Sequence, residues 1–206
     1  VASSTALLPG IVDRAERVHI TWCKGRPEFA NRDLDEVGRE LGGLSRVDTA
    51  KAVIPAGAIY FTMDEADVAR VVAHPQSMIG SDGVPWDSFP HPRLWGTFPR
   101  VLGRYAREQG RLSLEQAVHK MTGLPAAEFG FRDRGLVREG AFADLVLFDA
   151  GRIADAATFA EPKQPAAGIA RVIVNGETVW QDGAATGARP GRALRRQTGT
   201  TRVAGA

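Results

Sequence analysis

An α/β part over about residues 1–130, followed by a small β part over about 131–185, is the architecture the sequence predicts. Three observations support it. Through the first 130 residues, helical periodicity alternates with short apolar or alternating runs. From about residue 135 the pattern turns to strands, including Ala143-Asp144-Leu145-Val146-Leu147-Phe148-Asp149. Two strand-like runs, 170–174 and 177–180, flank Asn175-Gly176, a strong hairpin signal.

Taken in order, Val18-His19-Ile20-Thr21-Trp22 alternates as a strand does. Asn31 is expected to cap a helix through Asp33–Leu41, with Leu34, Val37 and Leu41 on one face and Gly42-Gly43 as its stop. Ala58-Ile59-Tyr60-Phe61 reads as a short extended piece. Thr62 and Glu65 have capping-box spacing, opening a helix to about Ala73 with Val68, Val71 and Val72 inward. Ser77-Met78-Ile79 reads as a buried strand, with Gly80-Ser81-Asp82-Gly83 just past its end. Residues 84–97 form a loop rich in proline and aromatics. A helix is expected from about Phe98 to Glu108. Ser113 and Gln116 form a second capping box, opening a helix to Met121, and Pro125 starts a short helix that Gly130 ends.

Composition narrows the function classes. The 206 residues are 44% hydrophobic and 24% charged, which suits a globular chain with a real core. No apolar run approaches the roughly 18 residues that span a bilayer, so no membrane partner is expected. Net charge is +2, with arginines gathered at 189, 192, 195, 196 and 202. That tail, about 186–206, reads as a basic flexible segment; without aromatics between the arginines it lacks the stacking surface of a nucleic-acid site. No nucleic-acid partner is expected. Cys23 is the single cysteine, so no disulfide forms within the chain, in keeping with a cytoplasmic location. Val1 heads no charged and apolar leader, so the start reads neither as a signal peptide nor as a natural beginning.

The chemistry centres on Asp82. A carboxylate in a Gly-rich turn after a strand sits where α/β folds build their sites, and there it can accept a proton or ligate a metal. Asp-Gly turns are also common as plain turns. The residues alone leave both readings open. His91, between two prolines, is close enough in sequence to reach the same site. His19, His74 and His119 are isolated, and His-x-His spacing is absent. Cys23 reads as a small buried residue.

The stretch Ile79-Gly80-Ser81-Asp82-Gly83, followed by Phe89-Pro90-His91-Pro92-Arg93-Leu94-Trp95-Gly96-Thr97-Phe98-Pro99-Arg100, resembles the D-aminoacylase (N-acyl-D-amino-acid deacylase) branch of the amidohydrolase superfamily. Ile20-Thr21-Trp22-Cys23-Lys24, Pro55 to Phe61, Lys120 to Ala126, Gly140 to Asp149 and Val172 to Gly176 extend the resemblance. It implies the C-terminal part of a metal-dependent-hydrolase TIM barrel, a (β/α)8 fold, with an inserted flap segment at about 4–65. The last barrel elements are then expected over 66–130 and the C-terminal strands of a small β-sandwich over 135–185.

The resemblance implies a hydrolase acting on non-peptide carbon–nitrogen bonds in linear amides. Its substrate is an N-acyl-D-amino acid, its cofactor zinc, and a zinc-bound hydroxide attacks the acyl carbonyl. Asp82 matches the base that takes the water's proton and passes it to the leaving amine; it is also a possible metal ligand. Arg93 matches the residue gripping the substrate's α-carboxylate, for which a planar fork suits. Tyr60 and Ser4 match substrate-contacting positions.

The resemblance covers the last two-fifths of a family member, and the family's remaining metal ligands belong to segments that this chain lacks. Catalytic zinc needs about three protein ligands. The chain alone is therefore expected to be inactive, with the N-terminal part of the barrel as its partner. Two alternatives stand beside this reading: another amidohydrolase of N-acyl or cyclic amides, and a non-catalytic protein binding an acidic partner through its tail.

Overall fold

The computed structural model describes residues 8–196. Ser4, and residues 197–206 of the expected tail, lie outside them. The chain forms two compact units. One holds the residues up to Val68 with Ser81–Gly96 and Ala157–Gln164; the other holds Ala69–Gly80, Thr97–Ala156 and the residues from Pro165 onward.

The first unit is built on an antiparallel sheet. Strand β1 (Arg17–Cys23) lies between β2 (Arg32–Asp33) and β3 (Ala56–Phe61). Helices α1 (Leu8–Arg14), α2 (Leu34–Glu40) and α3 (Arg46–Val53) contribute to its core. Val18 and Ile20 of β1 join Val12, Phe29, Leu34, Val37, Ala50 and Val53 there. Each of these buried side chains larger than alanine contributes about 1.5–3 kcal/mol. Helix α3 is not among the elements expected from the sequence. Its signal was Ser45: the hydroxyl accepts the Asp48 N–H at 3.2 Å as an N-cap.

Asn31 does not cap α2. It takes a left-handed φ of 63°, and Asp33 occupies the cap position. The Asn31 amide is drawn instead to His19, which is buried on β1. His19 Nδ1 lies 3.0 Å from Asp33 Oδ1, and Nε2 lies 3.1 Å from Asn31 Oδ1. Arg17 Nε also donates to Asp33 at 2.8 Å. Burial pushes the Asp33 carboxyl up, but the bonds from His19 and Arg17 hold it below its usual range. His19 is thus a hydrogen-bonded core residue. Cys23 is also buried, with Sγ 3.2 Å from the Val53 carbonyl.

Helix α4 (Glu65–Ala73) forms as expected, but Asp64, not Thr62, meets its first turn: Asp64 Oδ1 accepts the Ala66 N–H at 2.7 Å. Val71 does not turn inward; it is 60% exposed. Residues 77–79 form no strand. The Ile79 N–H goes to the Lys120 carbonyl at 3.1 Å, so its backbone partner is a helix end and not a neighbouring strand. Met78 is correspondingly exposed.

In the second unit, helix α6 (Leu114–Met121) opens on the expected Ser113–Gln116 capping box. Helix α7 (Gly123–Phe129) ends at Gly130, whose φ of 74° suits glycine. Helix α5 (Arg93–Arg100) starts in the first unit, earlier than expected, and contains Pro99. Proline removes one helical N–H. The chain continues as a π-helical stretch, Val101–Glu108, closed by an Arg104 carbonyl to Gln109 N–H bond of 2.9 Å.

Strands β4 (Leu145–Phe148), β5 (Ile169–Val174), β6 (Glu177–Gln181) and β7 (Ala184–Ala185) form an antiparallel sheet in that order. The Asn175-Gly176 turn between β5 and β6 has both residues at positive φ, 48° and 84°. Its side chain is also bound: Arg134 donates to Asn175 Oδ1 at 2.9 Å, and Asn175 Nδ2 donates to the Pro190 carbonyl at 2.7 Å. All strand pairs among the described residues are antiparallel. No described helix is long and apolar enough to cross a membrane. Residues 186–196 form neither helix nor strand, and Arg189, Arg192, Arg195 and Arg196 are exposed.

Lys120 is the charged residue most deeply placed in this unit, 4% exposed. Its Nζ donates to the His74 carbonyl, to the Ser77 carbonyl at 2.8 Å and to Ser77 Oγ at 3.0 Å. Burial pushes its pKa down. Lys120→Met keeps the apolar stem and strips the donors, leaving each acceptor that water fails to reach to cost about 1–3 kcal/mol. A lowered midpoint in urea unfolding is the expected result; an unchanged midpoint would mean that these bonds contribute nothing net.

Candidate active site

Asp82 occupies the turn that leads from Ser81 into the proline-rich loop. Its φ of 47° is unusual for a residue with a side chain, although aspartate tolerates this region better than most. The Gly83 N–H points to Ser81 Oγ at 3.3 Å. Gly83 is required for a close approach: a Cβ there would stand 2.8 Å from Leu94 Cα. Removing that atom lets the first turn of α5 lie against the Asp82 turn.

Arg93 is the first residue of α5, and the consequence is a direct contact. Arg93 Nη2 lies 2.7 Å from Asp82 Oδ2, and Nε donates to the Asp82 carbonyl at 2.9 Å. The guanidinium therefore holds both the side chain and the backbone of Asp82. The Asp82 side chain is 85% exposed, so its carboxylate meets solvent as well as Arg93.

His91 lies beside this pair. Its Nδ1 accepts the Arg93 N–H at 3.0 Å, and its carbonyl accepts the Leu94 N–H at 3.0 Å. The ring meets Phe159 edge-on, with centroids 5.2 Å apart, and Phe159 in turn packs against Phe61 of β3 at 4.7 Å. Burial, joined by the charge of Arg93 and only partly offset by Asp82, lowers the imidazole to about 4. His91 is therefore neutral near pH 7.

Tyr60 is placed differently. Successive residues of a strand point to opposite faces. Tyr60 pairs with Val18 and packs against the apolar core, whereas its neighbour Phe61 faces Phe159. Burial raises the Tyr60 phenol. The structure thus brings Asp82, Arg93 and His91 together, puts Tyr60 on the core face, and leaves Ser4 outside the described residues. Phe159 was not singled out from sequence. It lies in an irregular stretch far along the chain from His91, and no local pattern announces such a contact.

Among the described residues, no three His, Cys, Asp or Glu side chains gather where a metal could sit. Cys23 is committed to the core and His91 to the Arg93 backbone. One exposed carboxylate does not make a zinc site, so the described residues do not by themselves fit the ion.

The sequence pattern of the Amidohydrolase family matches residues 15–180. The chain is 57% identical over 196 residues to a D-aminoacylase of Alcaligenes xylosoxydans xylosoxydans, covering 95% of this chain and 40% of that protein. An N-acyl-D-aspartate deacylase of the same organism is 54% identical over 194 residues, covering 94% and 39%. A solved structure of an N-acyl-D-glutamate deacylase from Bordetella bronchiseptica, complexed with zinc and a phosphonate inhibitor, superposes with a TM-score of 0.86. It is 48% identical, covering 92% of this chain and 40% of its own. The chain spans about two-fifths of the length of the curated relatives it matches. With the family pattern running through both compact units, and the Asp82–Arg93 pair lying within it, the chain belongs to the amidohydrolase family.

Proposed function

We propose that these residues are the C-terminal portion of a zinc-dependent deacylase that hydrolyses N-acyl-D-amino acids to a D-amino acid and a carboxylate. The observation that carries this reading is the 2.7 Å contact between Arg93 and Asp82. In an N-acyl α-amino acid, the carboxylate and the amide nitrogen share one carbon. A guanidinium gripping the carboxylate therefore needs the group that protonates the departing nitrogen close beside it. Arg93 takes the first role, with the planar fork that suits a carboxylate. Asp82 takes the second: as general base it removes a proton from water, and as general acid it returns it to the departing nitrogen.

Zinc supplies Lewis-acid activation of water, and in this reading it is held mainly by residues outside these 206. Tyr60, half-buried against the core with its phenol raised by burial, and Ser4 are further proposed substrate contacts. Residues 1–130, with an insertion at about 4–65, are read as the C-terminal part of the (β/α)8 barrel. Residues 131–185 then belong to the β-sandwich and 186–206 to a basic tail.

The partner is the N-terminal part of the barrel. In support, Leu145, Val146 and Leu147 are exposed on β4, at the edge of its sheet. Exposed apolar edge strands are ordinarily covered. The unpaired Cys23 thiol is in keeping with the cytoplasm.

The test is turnover of N-acetyl-D- and N-acetyl-L-methionine by the metal-loaded full-length enzyme and by the isolated chain. Hydrolysis of the D-isomer by the full-length enzyme alone is expected. Turnover by the isolated 206 residues would contradict the division of labour, and preference for the L-isomer would contradict the substrate class.

A further inference from the structure

We propose that His91 is a positioning residue whose ring, set between the Arg93 backbone N–H and Phe159, aims the Arg93 guanidinium at the substrate carboxylate. The inference rests on the function proposed above and deepens it. The first N–H groups of a helix have no partner within the helix. At the start of α5, His91 Nδ1 accepts the Arg93 N–H, and the His91 carbonyl accepts that of Leu94. The Pro92 carbonyl accepts the Trp95 N–H at 3.1 Å and the Gly96 N–H at 2.9 Å. The imidazole thus acts as an N-cap for the residue whose side chain holds Asp82.

To accept that bond, Nδ1 must carry a lone pair, so the proton of the neutral ring sits on Nε2. The ring cannot swing freely. Pro90 and Pro92 restrict the backbone on either side, Pro90 is fully buried, and Phe159 meets the ring at an interplanar angle of 74°. Phe159 is held in turn against Phe61. A rotation of the first turn of α5 would carry Arg93 away from Asp82, and the capped N–H resists that rotation.

His91→Ala removes the acceptor. His91→Asn supplies one that can accept the N–H two residues on, as asparagine does in turns. Both are compared with the parent in the metal-loaded full-length enzyme. The substrates are N-acetyl-D-methionine and the corresponding N-acetyl amine without the carboxylate. For the first, His91→Ala is expected to raise KM by about tenfold or more with kcat within about threefold, the pattern of a lost binding contact. His91→Asn restores KM to within about threefold. For the substrate without a carboxylate, His91→Ala is expected to lower kcat/KM severalfold less than for N-acetyl-D-methionine.

The second readout is hydrogen exchange at the Arg93 amide, accelerated in His91→Ala and slow in His91→Asn. Unaltered exchange and KM in His91→Ala overturn the proposal, as does an equal loss on both substrates or no rescue by asparagine. If the parent enzyme hydrolyses no N-acyl-D-amino acid, the functional reading falls, while the exchange measurement still decides whether His91 holds the Arg93 turn.

Discussion

Asp82→Asn in the metal-loaded full-length enzyme is expected to lower kcat for N-acetyl-D-methionine by about 10²–10⁴-fold, the range for losing a general acid–base. The substitution isolates the proton-transfer role. Asparagine is nearly isosteric and tolerates the left-handed backbone that Asp82 adopts at φ 47°. Its side-chain oxygen still accepts from Arg93, and the backbone carbonyl that Arg93 also holds is untouched. What disappears is a group able to take a proton from water and return it to nitrogen. KM should move little, because Arg93 remains. A fall in kcat of less than about threefold would remove Asp82 from the chemistry and return it to an ordinary turn. Asp82→Ala is the poorer probe, since it adds strain at the same φ.

Arg93→Ala is expected to raise KM for the same substrate by about 10–10²-fold, corresponding to a charge-assisted bond of about 1.5–3 kcal/mol. Arg93→Lys should recover only part of the loss. Lysine keeps the charge but not the fork that here reaches both Asp82 Oδ2 and the Asp82 carbonyl. The discriminating comparison is again an N-acyl amine without the carboxylate, whose KM should be insensitive. An equal effect on both substrates would mean that Arg93 serves Asp82 alone. The double variant Arg93→Ala with His91→Ala should be no worse than Arg93→Ala, because His91 acts through Arg93.

The N-acyl-D-aspartate and N-acyl-D-glutamate deacylases to which the chain is similar differ by name in the side chain they take. In the function proposed above, the Arg93–Asp82 pair addresses the part such substrates have in common, the carboxylate and the amide. Selection among side chains must rest on groups that touch the variable part.

The elements legible in the sequence were those specified within a few residues. The Ser113–Gln116 box satisfies its own backbone groups, and Asn175-Gly176 takes the two positive φ values that its residue types favour, with its N–H groups then meeting Asp144 and Ala143. The alternation of Val18 to Trp22 was equally direct, because Val18 and Ile20 join the apolar core while His19 and Thr21, also buried, are polar. Expectations failed where the partner was remote. Residues 77–79 have the composition of a buried strand, but strands need neighbours, and Ile79 is met by the end of α6. Val71 has the spacing of an inward residue, yet among the described residues it is left largely exposed.

By itself, the sequence determined the local elements, the family resemblance and the residue types at positions 82 and 93, since all of these are carried by short contiguous stretches. Only the tertiary structure decided that Asp82 and Arg93 touch, that Tyr60 turns to the core while Phe61 turns to Phe159, and that His91 caps the helix bearing Arg93. The reason is physical. The contact at Asp82 depends on a missing Cβ at Gly83 and on where α5 begins, and the setting of His91 depends on a phenylalanine from a distant segment. Packing, unlike capping or turn formation, is a property of residues that are neighbours only after folding.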